Sequence, residues 1–306
     1  MTYHLMTWGA SSAPGVKHQV DLFAPIDKFE YERVMDSNAQ LMRFIEADLL
    51  PYVEYSYQQF MGLVKALDHA ARFSAQTPQI NAAFNLELSC NLLGFLSAVV
   101  MYYEQTTRVV KHRSESDSRA SEQLRTLFVE AFDGALGYRF CFKFRQFVAH
   151  KSFNAVNFSI NRQADVRASG IIVPRGGFVA EMDKAHLLSE RDVWNKQLRE
   201  EIEEMPDRID LIAMMDEAMS AVREVGKKAR KLVFPDISNT LFYMRELAAR
   251  FDGRAGTPGV MRMPAIRSED GRSEISPLFL DFNIIGMAEA ILEESAVLGD
   301  SSEADT

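Results

Sequence analysis

The sequence predicts a mainly α protein, a helical bundle with a small β-hairpin or sheet inserted after one aromatic helix. Apolar residues recur three and four positions apart through most of the chain, the spacing that lines one face of a helix. The strongest such run is Leu88, Leu92, Phe95, Val99, Tyr102, Thr106 and Val109, one seam of a long helix. Strand-like alternation with β-branched residues gathers in "AVNFSINRQ" and "GIIVPRGGFVAEM", so a β insertion is expected at about 155–182.

In chain order, residues 1–27 mix Gly, Pro and Ser with short apolar pieces and read as an irregular N-terminal arm or an edge strand. Accessory N-terminal helices follow over 28–83. Phe29, Val34, Leu41, Phe44, Ile45 and Leu49 mark the first of them, with Pro51 as its stop, and the second runs from about Tyr52 to Phe73. The main helical domain spans 84–251. After the long seam, "KHRSESDSRASE" is a solvated turn, and a further helix runs from about Ser121 to Asp133. Gly134 and Gly137 then allow a break or kink. Helical spacing returns in "LLSERDVWNKQLREEIEEM", with Ser189 and Asp192 as an N-terminal cap. It continues in "RIDLIAMMDEAMSAVREVGKKARKLV", and after Pro235 in "DISNTLFYMRELAARF". Residues 252–279 read as a Gly/Pro/Arg loop, 280–298 as a C-terminal helix and 299–306 as an acidic disordered tail.

Composition narrows the function classes. A chain of 306 residues, 47% apolar, can bury a substantial core. Its longest apolar stretch, Leu92 to Tyr103, is broken by Gly94 and Ser97 and falls short of the roughly 20 residues of a membrane span. A soluble, unexported cytoplasmic protein is expected, without a membrane partner. Cys90 and Cys141 are expected as reduced, core-filling thiols. The histidines show no pair at metal-ligand spacing, so neither a metal nor a cofactor is expected.

The net charge of −9 argues against nonspecific coating of nucleic acid, which rests on many Lys/Arg contacts to phosphate. A local basic site is compatible with it. Between Asp133 and Asp165 there is no carboxylate, while Arg139, Lys143, Arg145, Lys151 and Arg162 are all positive. This window contains "YRFCFKFRQFVAHKSF", residues 138 to 153. As a strand its alternation fails at "FVA"; as a helix it puts Phe140, Phe144, Phe147 and Val148 on one stripe. The helix is the better reading. Arg145 and His150 are then five positions apart, either a catalytic pair or two polar residues at the edge of a core.

The arrangement resembles the HEPN superfamily (higher eukaryotes and prokaryotes nucleotide-binding), helical bundles marked by an arginine four to six residues before a histidine. The match is Arg145, then "QFVA", then His150, preceded by the aromatic lead-in "YRFCFKF". The flanking segments "LLGFLSAVVMYYEQTTRVVKHR" and "LLSERDVWNKQLREEIEEMPDRIDLI" are similar to the helices around that motif in a bacterial subgroup, so the resemblance covers about 84–232. It implies a HEPN-like bundle that cleaves RNA without a metal at a homodimer interface, as a toxin or antiphage effector with an antitoxin or defence-complex partner. It also implies His150 as acid and base and Arg145 as phosphate clamp, with Gln146 and Glu104 in support. Lys143, Lys151 and Arg139 would attract RNA. Gln146 stands where many active members carry Asn. The rival reading is a non-catalytic module that binds RNA, nucleotide or a protein partner.

Overall fold

The computed structural model describes residues 2–10, 18–73, 82–113, 118–150, 155–166, 172–190, 192–263 and 276–300. In chain order its elements are β1 (Thr2–Ala10), β2 (His18–Ile26), α1 (Lys28–Ala47), α2 (Leu50–Phe73), α3 (Ala82–Arg113), α4 (Ser118–Gly134) and α5 (Leu136–His150). Then come β3 (Val156–Val166), β4 (Ile172–Asp183), α6 (Lys184–Ser189), α7 (Lys196–Glu204), β5 (Arg208–Asp210) and α8 (Leu211–Val233). The chain ends with α9 (Ile237–Ala249), β6 (Thr257–Met263), β7 (Ser276–Phe279) and α10 (Asn283–Asp300). The protein is mainly α with two small antiparallel sheets.

The elements form two compact units, Leu49–Val233 and a second made of Met1–Asp48 with Phe234–Thr306. This division differs from the expected one. α1 belongs with the C-terminal elements, and α2 with the bundle.

In the unit of Leu49–Val233, α3 is the long helix that its periodicity predicts. Leu88, Leu92, Phe95 and Val99 are fully buried, Tyr102 and Thr106 nearly so, and the seam ends on Val110. By length and composition alone this helix is apolar enough to cross a membrane. Its seam is instead covered by α2, α5 and α8. Pro51 lies in the first turn of α2, where its missing N–H leaves no bond unmade.

α5 packs most extensively on α8, and this contact explains one of the two glycines expected to allow a break. A Cβ at Gly137 would fall on the Met214 carbonyl oxygen and 2.8 Å from Glu217 Cβ. A Cβ at Gly134 would meet nothing within 4 Å. Gly137 is thus the point of closest approach between two helices. Beside it, Cys141 is buried with Sγ 3.9 Å from the same carbonyl, and burial raises its thiol pKa. Cys90 is exposed, contrary to expectation, because it lies off the α3 seam.

The β insertion is one long hairpin. β3 pairs with β4 from Val156↔Met182 to Val166↔Ile172, and β4 also pairs with the short β5. Phe158 and Phe178 stack at 6.1 Å, and Phe60 of α2 meets Phe158 at 6.4 Å, which seats the hairpin on the bundle. Ser189 and Asp192 do not cap the helix that follows. Asn195 does, accepting from the Leu198 N–H at 2.9 Å, while Ser189 ends the separate helix α6.

In the other unit, β1 and β2 stand where an irregular arm or an edge strand is expected, and β6 and β7 lie within the expected Gly/Pro/Arg loop; the four form one sheet in the order β2-β1-β6-β7, with β2 at an edge. The register between β1 and β2 shifts where Phe23 of β2 is left unpaired, a bulge in β2, and along β1 Leu5, Met6 and Thr7 are buried in succession. That run of buried residues, together with a partner strand some 250 residues away, hides β1 from local pattern reading. Residues 264–275, part of the expected loop, and 301–306, most of the expected tail, lie outside the described residues.

Replacing Gly137 with Ala is expected to cost about 1–3 kcal/mol through overpacking. The Gly134→Ala variant is expected within about 0.5 kcal/mol of wild type. Chemical denaturation of the two variants checks the difference.

Candidate functional site

The rotation of α5 about its axis decides which motif residues reach solvent. Phe140, Phe144 and Phe147 are fully buried, and they stack in sequence at 5.1 and 5.8 Å. Trp194 closes this row, stacking on Phe140 at 5.6 Å and on Phe147 at 5.7 Å. The indole is itself held by its N–H, which donates to the Leu187 carbonyl at 2.7 Å. Any rotation of α5 would expose several of these rings at about 1.5–3 kcal/mol each.

With the aromatic side fixed inward, Arg145 points outward and is exposed. Among the described residues its guanidinium has no ion-pair or hydrogen-bond partner. Five positions turn a helix through about 140°, and Gln146, partly buried, lies on the arc between Arg145 and His150. His150 is the last residue of α5; its side chain lies outside the described part of the structure, as does all of Lys151. The helical positions of Arg145, Gln146 and His150 thus fall within about 140° of one another, while Phe147 and Val148 between them turn to the buried side.

Arg139 departs from its expected role in attracting RNA. It is 3% exposed and its guanidinium is fully engaged. Nε and Nη2 donate to the Glu201 carboxylate at 3.1 and 2.6 Å. Nη1 donates to the carbonyls of Phe132 and, at 3.0 Å, Asp133. Those carbonyls belong to the last turn of α4, where helix geometry leaves acceptors without partners. Arg139 thus caps α4 and ties it to α5 and α7. Its charge is spent inside the protein.

Lys143, one turn on, is partly exposed, and Glu104 is exposed on α3. Glu104 and Arg145 form no ion pair, so a carboxylate that holds the arginine in place is absent at that position. Of the expected cationic cluster, Lys143 and Arg145 are the described members that reach solvent. Both lie on α5.

One imidazole missed in the sequence lies beside this helix. His186 of α6 is exposed and meets the Phe147 ring at 6.1 Å, edge to face, about one turn from the end of α5. Asp183 fixes its backbone by accepting the His186 N–H at 2.9 Å. Nothing local announces it, because the chain brings it back through the β hairpin, 36 positions after His150. Among the described residues no group of three or more His, Cys, Asp or Glu side chains is arranged to hold a metal ion.

Comparison with known proteins finds no matching family model, no matching curated protein and no matching solved structure.

The two arginines of α5 are expected to behave oppositely. Arg139→Ala leaves the Glu201 carboxylate and the end of α4 without their donor, and should cost about 3 kcal/mol, the lower end of the range for a broken buried pair because Glu201 keeps partial contact with water. Arg145→Ala should change stability by less than about 0.5 kcal/mol. Thermal melts of the two variants beside wild type test this.

Proposed function

We propose that the chain is a metal-independent endoribonuclease of the HEPN type, a cytoplasmic toxin or antiphage effector that acts as a homodimer. The observation that carries this reading is Arg145, an exposed guanidinium that has no carboxylate partner among the described residues and lies within about 140° of helical turn from Gln146 and His150. An arginine keeps its charge at any physiological pH and offers planar paired donors, which suits the charge that builds on a phosphate under attack.

RNA supplies its own nucleophile. The His150 imidazole takes the proton of the 2′-hydroxyl as that oxygen attacks the adjacent phosphorus. The bond from phosphorus to the 5′-oxygen breaks, and that oxygen receives a proton from a protonated imidazole, His150 of the second copy. The products are a 2′,3′-cyclic phosphate and a 5′-hydroxyl. Arg145 neutralises the phosphorane oxygens, Gln146 orients the phosphate or the arginine, and Lys143 draws the backbone in. The net charge of −9 fits a protein that engages RNA at one place rather than along its whole surface.

The second reading, a non-catalytic module that binds RNA or assembles with a protein, draws on the partly buried Gln146, whose longer side chain replaces the asparagine common after the arginine in active members.

Incubation of the purified protein with a mixed RNA pool should give cleavage that survives EDTA and leaves 2′,3′-cyclic phosphate ends. Arg145→Ala and His150→Ala should each lower the rate by about 100-fold or more, as expected for loss of a charge stabiliser or an acid–base group. Cleavage that persists in both folded variants, or wild type that cuts nothing, decides for the second reading.

A further inference from the structure

On the side of α5 that carries Tyr138 and Phe142, α3, α4 and α5 enclose a cavity of about 340 Å³. This lies within the roughly 300–1,000 Å³ typical of small-molecule sites. Five aromatic residues line it, namely Tyr103, Phe128, Phe132, Tyr138 and Phe142. Phe142 is the hub, with Tyr103 at 5.6 Å and Phe132 at 6.1 Å, both edge to face, and Tyr138 at 6.4 Å. Tyr103 in turn meets Phe128 at 4.9 Å and 90°.

Among the described residues the polar side chains at this cavity have no hydrogen-bond or ion-pair partner. Tyr138 is 2% exposed, yet its hydroxyl makes no hydrogen bond with any described residue. Burial raises its pKa, so the hydroxyl stays a donor at neutral pH. Arg125 and Asp133 also line the cavity, both are exposed, and neither side chain has an ion-pair partner among the described residues. They stand two turns apart on α4, about 12 Å along its axis. An aromatic cage with two phenol hydroxyls, those of Tyr103 and Tyr138, a carboxylate and a guanidinium suits a planar ligand that carries both hydrogen-bond donors and a negative charge.

We propose that this cavity reads one unpaired guanine of the RNA, with the base among the rings, its Watson–Crick edge on Asp133 and its phosphate toward Arg125. This rests on the ribonuclease reading and names what that site selects. Unpaired bases in RNA are recognised by stacking on aromatic side chains and by hydrogen bonds to their edges. Guanine presents two adjacent N–H donors, at N1 and at the exocyclic N2, which a carboxylate accepts as a pair. Adenine and cytosine offer an amine beside a ring nitrogen whose lone pair repels a carboxylate. Uracil offers one N–H between two carbonyls. Tyr138 supplies a donor for the guanine O6.

Calorimetric titration tests the inference without cleavage. Guanosine 5′-monophosphate should bind wild type at least tenfold more tightly than the adenosine, cytidine and uridine monophosphates. Asp133→Asn should abolish that preference, Arg125→Gln should weaken all binding, and Phe142→Leu should weaken guanosine monophosphate at least tenfold. A single-stranded oligodeoxynucleotide with one guanine should bind more tightly than the monophosphate; the reverse order removes RNA as the source. Equal affinity for the four monophosphates, or no binding, overturns the proposal. So does a concentration-dependent dimer that Val129→Lys dissolves while no nucleotide binds, since Val129 lines the cavity, is 48% exposed and would then face a second copy. Arg145→Ala should keep the guanosine preference. Lost cleavage with retained base binding would therefore separate a failure of the catalytic assignment from a failure of this one.

Discussion

The row of rings from Phe140 through Phe144 to Phe147, closed by Trp194, is the constraint on which the candidate site depends. Three fully buried phenylalanines on one stripe leave α5 a single rotational setting. Gly137 then lets the helix approach the α8 backbone, because a side chain at that point would collide with Met214 and Glu217. With rotation and depth both set, the exposure of Arg145 and the partial exposure of Gln146 follow from the helical repeat. Apolar packing thus sets the rotation of the helix, and the Arg145 side chain inherits its exposure from it.

The two arginines of α5 show how little residue type says by itself. Arg139 and Arg145 lie six positions apart in the same acid-free window. One meets a carboxylate from α7 and the last carbonyls of α4, and becomes a structural clamp. The other faces away from the packed side and, among the described residues, has no ion-pair partner. The difference comes from Glu201, 62 positions downstream of Arg139, which a reading of the window alone cannot see.

What was legible in the sequence was what short-range periodicity encodes. The α3 seam was visible in its three-and-four spacing, and the choice of helix over strand for residues 138–150 rested on the failure of alternation at "FVA". The β hairpin at 156–183 was visible in its β-branched residues. The sheet of β1, β2, β6 and β7 was not, because its pairings span most of the chain and Leu5, Met6 and Thr7 of β1 are buried in succession, without alternation. At the site, Arg145 could be picked out by its motif spacing. His186 and the cage around Phe142 could not, since both are assembled from elements that meet only in three dimensions.

The most direct measurement follows the side chains of Arg145 and His150 by NMR while a 2′-deoxy-substituted RNA, unable to react, is added. If guanidinium and imidazole share one phosphate, both sets of resonances shift along a common saturation curve, and Arg145→Ala abolishes the response at His150. Movement of one without the other, or an imidazole that ignores the RNA altogether, would contradict a shared anion site at the end of α5.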